Sequence, residues 1–233
     1  MEIIAIDIET IPHQSLPGGC RPEFNASEVK TGNAGAEKAQ LKIEKERIKF
    51  EETLTKKMST SPTLCQVCTF CGMLFDTETD EIKDKVSIQI SEEIEDDEYE
   101  CIHDAWNFIR KSREKKIPLV TFNGIGFDVP VLIFRAMALD IPIPMETKNL
   151  LKKYEARDHY DLMQLLAHWD RQGWQKLDFY LKLFRIGKKL DDMDGSKVYA
   201  AWQAKEFDKI KAYCENDVFQ LCELFQRVES WIK

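Results

Sequence analysis

The sequence predicts an α/β fold, a central mixed β-sheet flanked by helices. Two observations lead there. The chain opens on an isoleucine-rich run, Glu2 to Ile8, that ends at a Thr-Ile-Pro turn, as a buried strand does. Strand patterns and helix patterns then follow as three strands, a helix, a strand and more helices. With 233 residues, 43% of them hydrophobic, the expectation is one domain over 1–233 built on one core.

Pro17 to Asn33 is rich in Gly, Pro and Asn and reads as loop. Ala34 to Lys57 carries dense mixed charge with apolar residues at Leu41, Ile43, Ile48, Phe50 and Leu54. That pattern predicts an exposed helix, and the region of about 25–60 reads as a charged helical insertion. Leu64 to Phe75 is the second strand and Asp76 to Asp80 a polar turn. Val86 to Ser91 alternates, with Val86, Ile88 and Ile90 on one face. Glu100 to Arg113 is helical, with Ile102, Ala105, Trp106 and Ile109 on one side. Pro118 to Phe122 is the fourth strand. Asp128 to Leu139 is a helix opened by Asp-Val-Pro, which suits a first turn. Asp161 to Trp169, Leu177 to Phe184 and the long Glu206 to Trp231 complete the helices.

No apolar run approaches the ~20 residues of a membrane helix, and no signal peptide is evident at the start. The expectation is a cytoplasmic monomer with reduced thiols. Cys65, Cys68 and Cys71 are spaced like zinc ligands, but they are three, no histidine lies nearby, and strand residues three apart face opposite sides. They read as buried strand residues.

The net charge of −8 is unevenly spread. Acids dominate from Asp76 to Asp104, whereas Lys148 to Lys189 carries ten bases against five acids. Local sign matters more than the total for steering an anion.

Asp7 and Glu9 sit two apart at a strand end, so alternation puts both carboxylates on one face. Their repulsion is relieved by a hard divalent cation or by solvent. Asn123 to Asp128 follows the fourth strand, where ligand sites of α/β sheets lie. Asp128 is also a candidate helix N-cap. Tyr213 and Asp217 are one helical turn apart, beside the stripe Phe207, Ile210, Cys214, Val218, Leu221, Phe225, Val228. A carboxylate among buried neighbours needs a partner, and no base lies at three or four residues from Asp217. A metal or a distant ion pair would serve.

Asp7-Ile8-Glu9-Thr10, Asn123 to Phe127-Asp128 and Tyr213-Cys214-Glu215-Asn216-Asp217 together resemble the three motifs of the DEDD 3′→5′ exonuclease superfamily. The third has the Y-x-x-x-D form of its tyrosine subgroup. Thr121 to Leu132, His159-Tyr160-Asp161-Leu162-Met163 and Asp194-Gly195-Ser196-Lys197-Val198 look like the predicted exonucleases related to the proofreading domain of family B DNA polymerases. The resemblance covers all but roughly residues 20 to 60.

It implies an RNase H-like fold and phosphodiester hydrolysis with two divalent cations, Mg²⁺ with Mn²⁺ as substitute. Asp7, Glu9, Asp128 and Asp217 would be the ligands and catalytic acids, and Tyr213 would orient the attacking water. Thr10, Asn123, Phe127, Lys188 and Lys189 would contact the strand. Phe122, Phe127 and Tyr180 could stack bases, although core packing is the commoner use. His159 reads as a hydrogen-bonded structural histidine. The expected substrate is single-stranded DNA. An exoribonuclease on the same fold is the alternative, since the 2′-OH is read by pocket geometry. A binding module without catalysis is the other rival, and the presence of every expected acid argues against it.

Overall fold

The structure, a computed structural model, describes all residues except 33–34, 92–93, 146, 188–192 and 233, and the side chains of 94–96 and 112 are also outside the description. Strand β1 (Glu2–Pro12) is followed by helix α1 (Ala36–Ser59), the hairpin β2 (Cys65–Asp76) and β3 (Glu81–Gln89), and helix α2 (Ile94–Glu114). Next come β4 (Leu119–Thr121), α3 (Asp128–Ala138), α4 (Thr147–Leu150), β5 (His159–Asp161) and α5 (Leu162–Leu166). The chain ends with α6 (Leu177–Phe184), α7 (Val198–Gln203) and α8 (Phe207–Ile232).

The five strands form one mixed sheet in the order β3-β2-β1-β4-β5. β1, β2 and β3 pair antiparallel, whereas β4 and β5 run parallel to β1. This is the predicted α/β architecture, a mixed sheet flanked by helices. The parity of β1 sorts the core. Ile4, Ile6 and Ile8 pack with Ile102, Trp106 and Ile109 of α2 and with Val131 and Leu132 of α3. Ile3 and Ala5 point the other way, into a second cluster with Val218, Leu221 and Phe225 of α8 and Leu181 of α6. Asp7 and Glu9 continue that second row.

The register of β1 on β2 slips between Glu9 and Thr10, where Cys68 is the extra residue. Such a bulge swaps the facing of the residues beyond it. Cys65 lies in the α2–α3 cluster, Cys71 in the α8 cluster and Cys68 in a third one, with Ile11, Val198, Ile210 and Tyr213. The three cysteines share no site.

Several boundaries differ from expectation. β3 begins at Glu81, because its pairing with Asp76 to Met73 continues outward through exposed residues that carry no hydrophobic alternation. α2 starts at Ile94, ahead of the expected Glu100. Of the segment expected as one helix from Asp161 to Trp169, Asp161 closes a three-residue strand and only Leu162–Leu166 is helical, ending before His168 and Trp169, both at positive φ. α4 and α7 were not expected. Each is short and exists by burying a few residues, Leu150 in one and Val198 and Ala201 in the other.

The expected helix of the 25–60 region is present as α1. It is mostly exposed, and its buried residues, Leu54 and Met58, lie in its last turns. Those turns dock at the end of β1, where the Thr10 hydroxyl donates to the Ser59 carbonyl at 2.6 Å.

Candidate active site

Three parallel strand ends converge: β1 delivers Asp7 and Glu9, β4 delivers the loop 122–127, and β5 delivers Asp161. Helix α8 crosses the same end on the face to which Asp7 points. Its position is fixed by the apolar stripe, by an ion pair between Lys85 of β3 and Glu215 at 2.6 Å, and by Gln226 donating to the Thr77 carbonyl at 2.9 Å. Residues 207 apart thereby meet: the Cys214 thiol reaches the Asp7 backbone oxygen at 3.5 Å and its carboxylate at 3.7 Å.

Glu9, Asp128 and Asp217 are buried, and Asp7 is half-buried. Asp128 is the first residue of α3 and does not cap it; the cap position is Phe127, which makes no side-chain cap bond. The Asp128 carboxylate turns to β1 and accepts the Ile8 N–H. That donor is available because β4 pairs with β1 only at Ile4 and Ala5 and stops short of Ile8.

Gathering these acids is electrostatically costly. Burial, then Glu9, Asp128 and Asp217 in that order, hold the Asp7 carboxyl well above its ordinary value. Burial pushes Asp128 up to about 7. Neither Asp7 nor Asp128 forms an ion pair with Lys, Arg or His among the described residues. Repelling carboxylates without a cationic side chain are a fitting donor set for hard divalent cations. Asp7, Glu9 and Cys214 present ligand atoms within 4.8 Å of one another. Burial and the nearby carboxylates push the Cys214 thiol well up, which keeps it a donor to Asp7.

Tyr213 is buried and hydrogen-bonded to Asp217. Burial, then Glu9 and Asp217, push its phenol above the ordinary range. It therefore keeps its proton and donates it to the carboxylate.

Asp7, Tyr213 and Asp217 line a cleft of ≈ 770 Å³ whose other walls include Phe122, Asn123, Lys176, Asp178, Asp194 and Ser196. Glu9 and Asp128 are not among the residues that line it. Asn123 holds a left-handed backbone, φ 71°, at the cleft edge. Phe127 packs against the α2–α3 core, and Tyr180 is buried against Phe122 and Phe184. Thr10 is buried and bonded to Ser59. Lys188 and Lys189 lie outside the described residues. His159 is a structural residue: its Nδ1 meets the Leu150 carbonyl at 2.6 Å and its Nε2 the Thr121 hydroxyl at 2.7 Å.

Sequence reasoning missed Cys214 as a neighbour of Asp7, and it missed Asp161 and the wall formed by Lys176, Asp194 and Ser196. The resemblance of residues 159–163 and 194–198 to the polymerase-related exonucleases was the available signal.

Residues 60–231 match a family model described as a predicted 3′-5′ exonuclease related to the exonuclease domain of PolB. Among solved structures, a family B DNA polymerase from the hyperthermophilic archaeon Pyrobaculum calidifontis superposes at TM-score 0.58 and 17% identity, over 98% of this chain and 24% of that one. This chain thus spans about a quarter of the polymerase, and the likeness is one of fold. The nuclease domain of 3′hExo, a DEDDh protein bound to rAMP, aligns at TM-score 0.44 and 11% identity over 98% of this chain and 92% of that one. Exonuclease I of E. coli in complex with a dA13 oligonucleotide aligns at 0.41 and 11%, over 98% and 40%. No curated protein matched.

Proposed function

Since the chain belongs to the family of predicted 3′-5′ exonucleases related to the exonuclease domain of PolB, we propose that it removes nucleotides from the 3′ ends of single-stranded DNA with two divalent cations. The observation that carries this is the convergence of Asp7, Glu9, Asp128 and Asp217, two of them raised by burial and none of those two offset by a basic side chain among the described residues. Asp7, Glu9 and Asp217 would hold one ion, and Asp7 with Asp128 the other. When bound, the ions stabilise the attacking and leaving oxygens of the phosphodiester.

The remaining work falls to the chain. Tyr213, a donor held by Asp217, orients the attacking water. A phenol raised above its ordinary range is unsuited to taking the proton itself. Asn123 and Phe122 in the cleft lining meet the last nucleotides, and Lys176 of the same lining meets the phosphate backbone. Thr10 and Phe127 act from behind: Thr10 ties α1 to the end of β1, and Phe127 seats the loop on the core.

Residues 1–233 act as one domain and one monomer in this reading, with α1 as its insertion. Six of the seven cysteines are buried thiols, which fits a reducing cytoplasm. No helix among the described residues is long and apolar enough to cross a membrane.

The test is degradation of matched 5′-labelled single-stranded DNA and RNA with Mg²⁺, with Mn²⁺ and with EDTA. Stepwise shortening of DNA that stops in EDTA is expected. Activity that survives EDTA, or none with either ion, would sink the proposal. Faster RNA decay would move the substrate to the exoribonuclease alternative.

A further inference from the structure

Resting on that reading of the site, we propose that Asp161 is a positioning residue: through the loop backbone it fixes Asn123 and Asp128 as one unit. The loop between β4 and α3 must place Asn123 at the cleft and, five residues later, Asp128 against β1. Its amides point inward, where each needs an acceptor. Asp161, fully buried at the end of β5, supplies one oxygen to the Asn123 N–H at 2.9 Å and the other to the Ile125 N–H at 3.0 Å.

The amide between them is held by a relay. Leu150 offers only a carbonyl, so His159 Nδ1 carries the proton and Nε2 accepts. The Thr121 hydroxyl donates to that Nε2 and accepts the Gly124 N–H at 3.1 Å. Gly126 and Phe127 donate to the Asn123 carbonyl at 3.0 and 2.9 Å, and Val129 donates to that of Gly124 at 3.0 Å. Every amide from 123 to 127 is thus accounted for.

The bland reading is that Asp161 merely caps α5. It does accept the Gln164 N–H, at 3.3 Å, and the Met163 N–H, but the Gln164 bond is longer than both bonds to the loop and α5 is only five residues long. A neutral Ser or Asn would cap so short a helix without burying a charge. A carboxylate is required where two loop donors must be met by two acceptor oxygens. A Cβ on Gly124 would lie 2.2 Å from Thr121 Oγ1, and one on Gly126 would lie 2.6 Å from Asn123 Oδ1. Both glycines pack closely on their own loop and strand neighbours, so a loosened loop shifts Asn123 at the cleft and Asp128 at Ile8 together.

The test is Asp161→Asn in the full chain, which keeps the shape and replaces one acceptor by a donor. Three readouts are taken: peptide-level amide exchange, affinity for a labelled oligonucleotide in Ca²⁺, and the single-turnover rate in Mg²⁺. Exchange over residues 122–128 should quicken by about tenfold with little change elsewhere. The rate should fall by roughly 10²-fold, the scale of a small misplacement, and oligonucleotide affinity should fall with it. Thr121→Val, which cuts the Gly124 relay, should act in the same direction more weakly, and it decides the matter if the first variant does not fold. Unchanged loop exchange, or faster exchange spread evenly over the chain with a normal rate, would overturn the proposal. A wild-type chain with no nuclease activity would sink the function while leaving the exchange arm to judge Asp161.

Discussion

Asp128→Asn should make the metal-free protein more stable while abolishing its function. Burial raises the Asp128 carboxyl to about 7 in the folded state, against ~3.9 in an unfolded chain. The folded state therefore keeps a proton that the unfolded state releases. Its contribution to stability is present below pH ~4 and is lost as pH rises through about 7. The interval is about three pH units, which corresponds to about 4 kcal/mol at pH 8. Asparagine has the same shape, carries no charge and can still accept the Ile8 N–H. For a chain of this size 4 kcal/mol is roughly 10 °C in melting temperature. Calorimetric melts of both proteins in EDTA at pH 5 and pH 8 measure it. The variant should melt higher at pH 8, and the gap should shrink at pH 5, where the wild-type carboxyl is protonated. Mg²⁺ at pH 8 should raise the wild type more than the variant. A variant that melts at or below the wild type at pH 8 in EDTA would show that Asp128 carries no buried charge to relieve.

Asp7→Ala should slow single-turnover cleavage at saturating Mg²⁺ by more than about 10²-fold, because Asp7 is expected at both ions; a rate within tenfold of wild type refutes the assignment. Tyr213→Phe should keep Mn²⁺ affinity, lose ~1 kcal/mol of stability and slow the chemical step by roughly 10²-fold; a wild-type rate would mean that the tyrosine only packs. Gly124→Ala forces a Cβ to 2.2 Å from Thr121 Oγ1, and overpacking of that kind costs about 1–3 kcal/mol; a thermal melt unchanged from wild type contradicts the loop geometry. Lys176→Ala should flatten the slope of log affinity against log salt by about one, as measured by anisotropy with a single-stranded oligonucleotide, and an unchanged slope places the strand elsewhere.

The sequence legibly encoded whatever is local and periodic. Ile3, Ala5, Asp7 and Glu9 share a parity, and a strand period of two is enough to put both carboxylates on one face. Tyr213 and Asp217 are a helical turn apart, and the apolar stripe beside them states which side of α8 is buried. The order of the three acidic motifs, each in its strand, loop-to-helix or helix setting, gave the family resemblance and with it the fold.

What only the tertiary structure decided depends on which distant segments touch. β5 has three residues, too few for a pattern, and it exists only because β4 pairs with it. Asp128 reads as a cap from its place before a helix, yet β4 ends early enough to leave the Ile8 N–H for it. Cys214 looks like one more apolar position of the α8 stripe until the packing of α8 on β1 sets its sulfur against Asp7. Asp161 gives no local sign that its carboxylate holds a loop 36 residues earlier. Periodicity tells each segment which face to bury; only the closing of the sheet and the docking of α8 select the partners, because those contacts join residues with no shared local pattern.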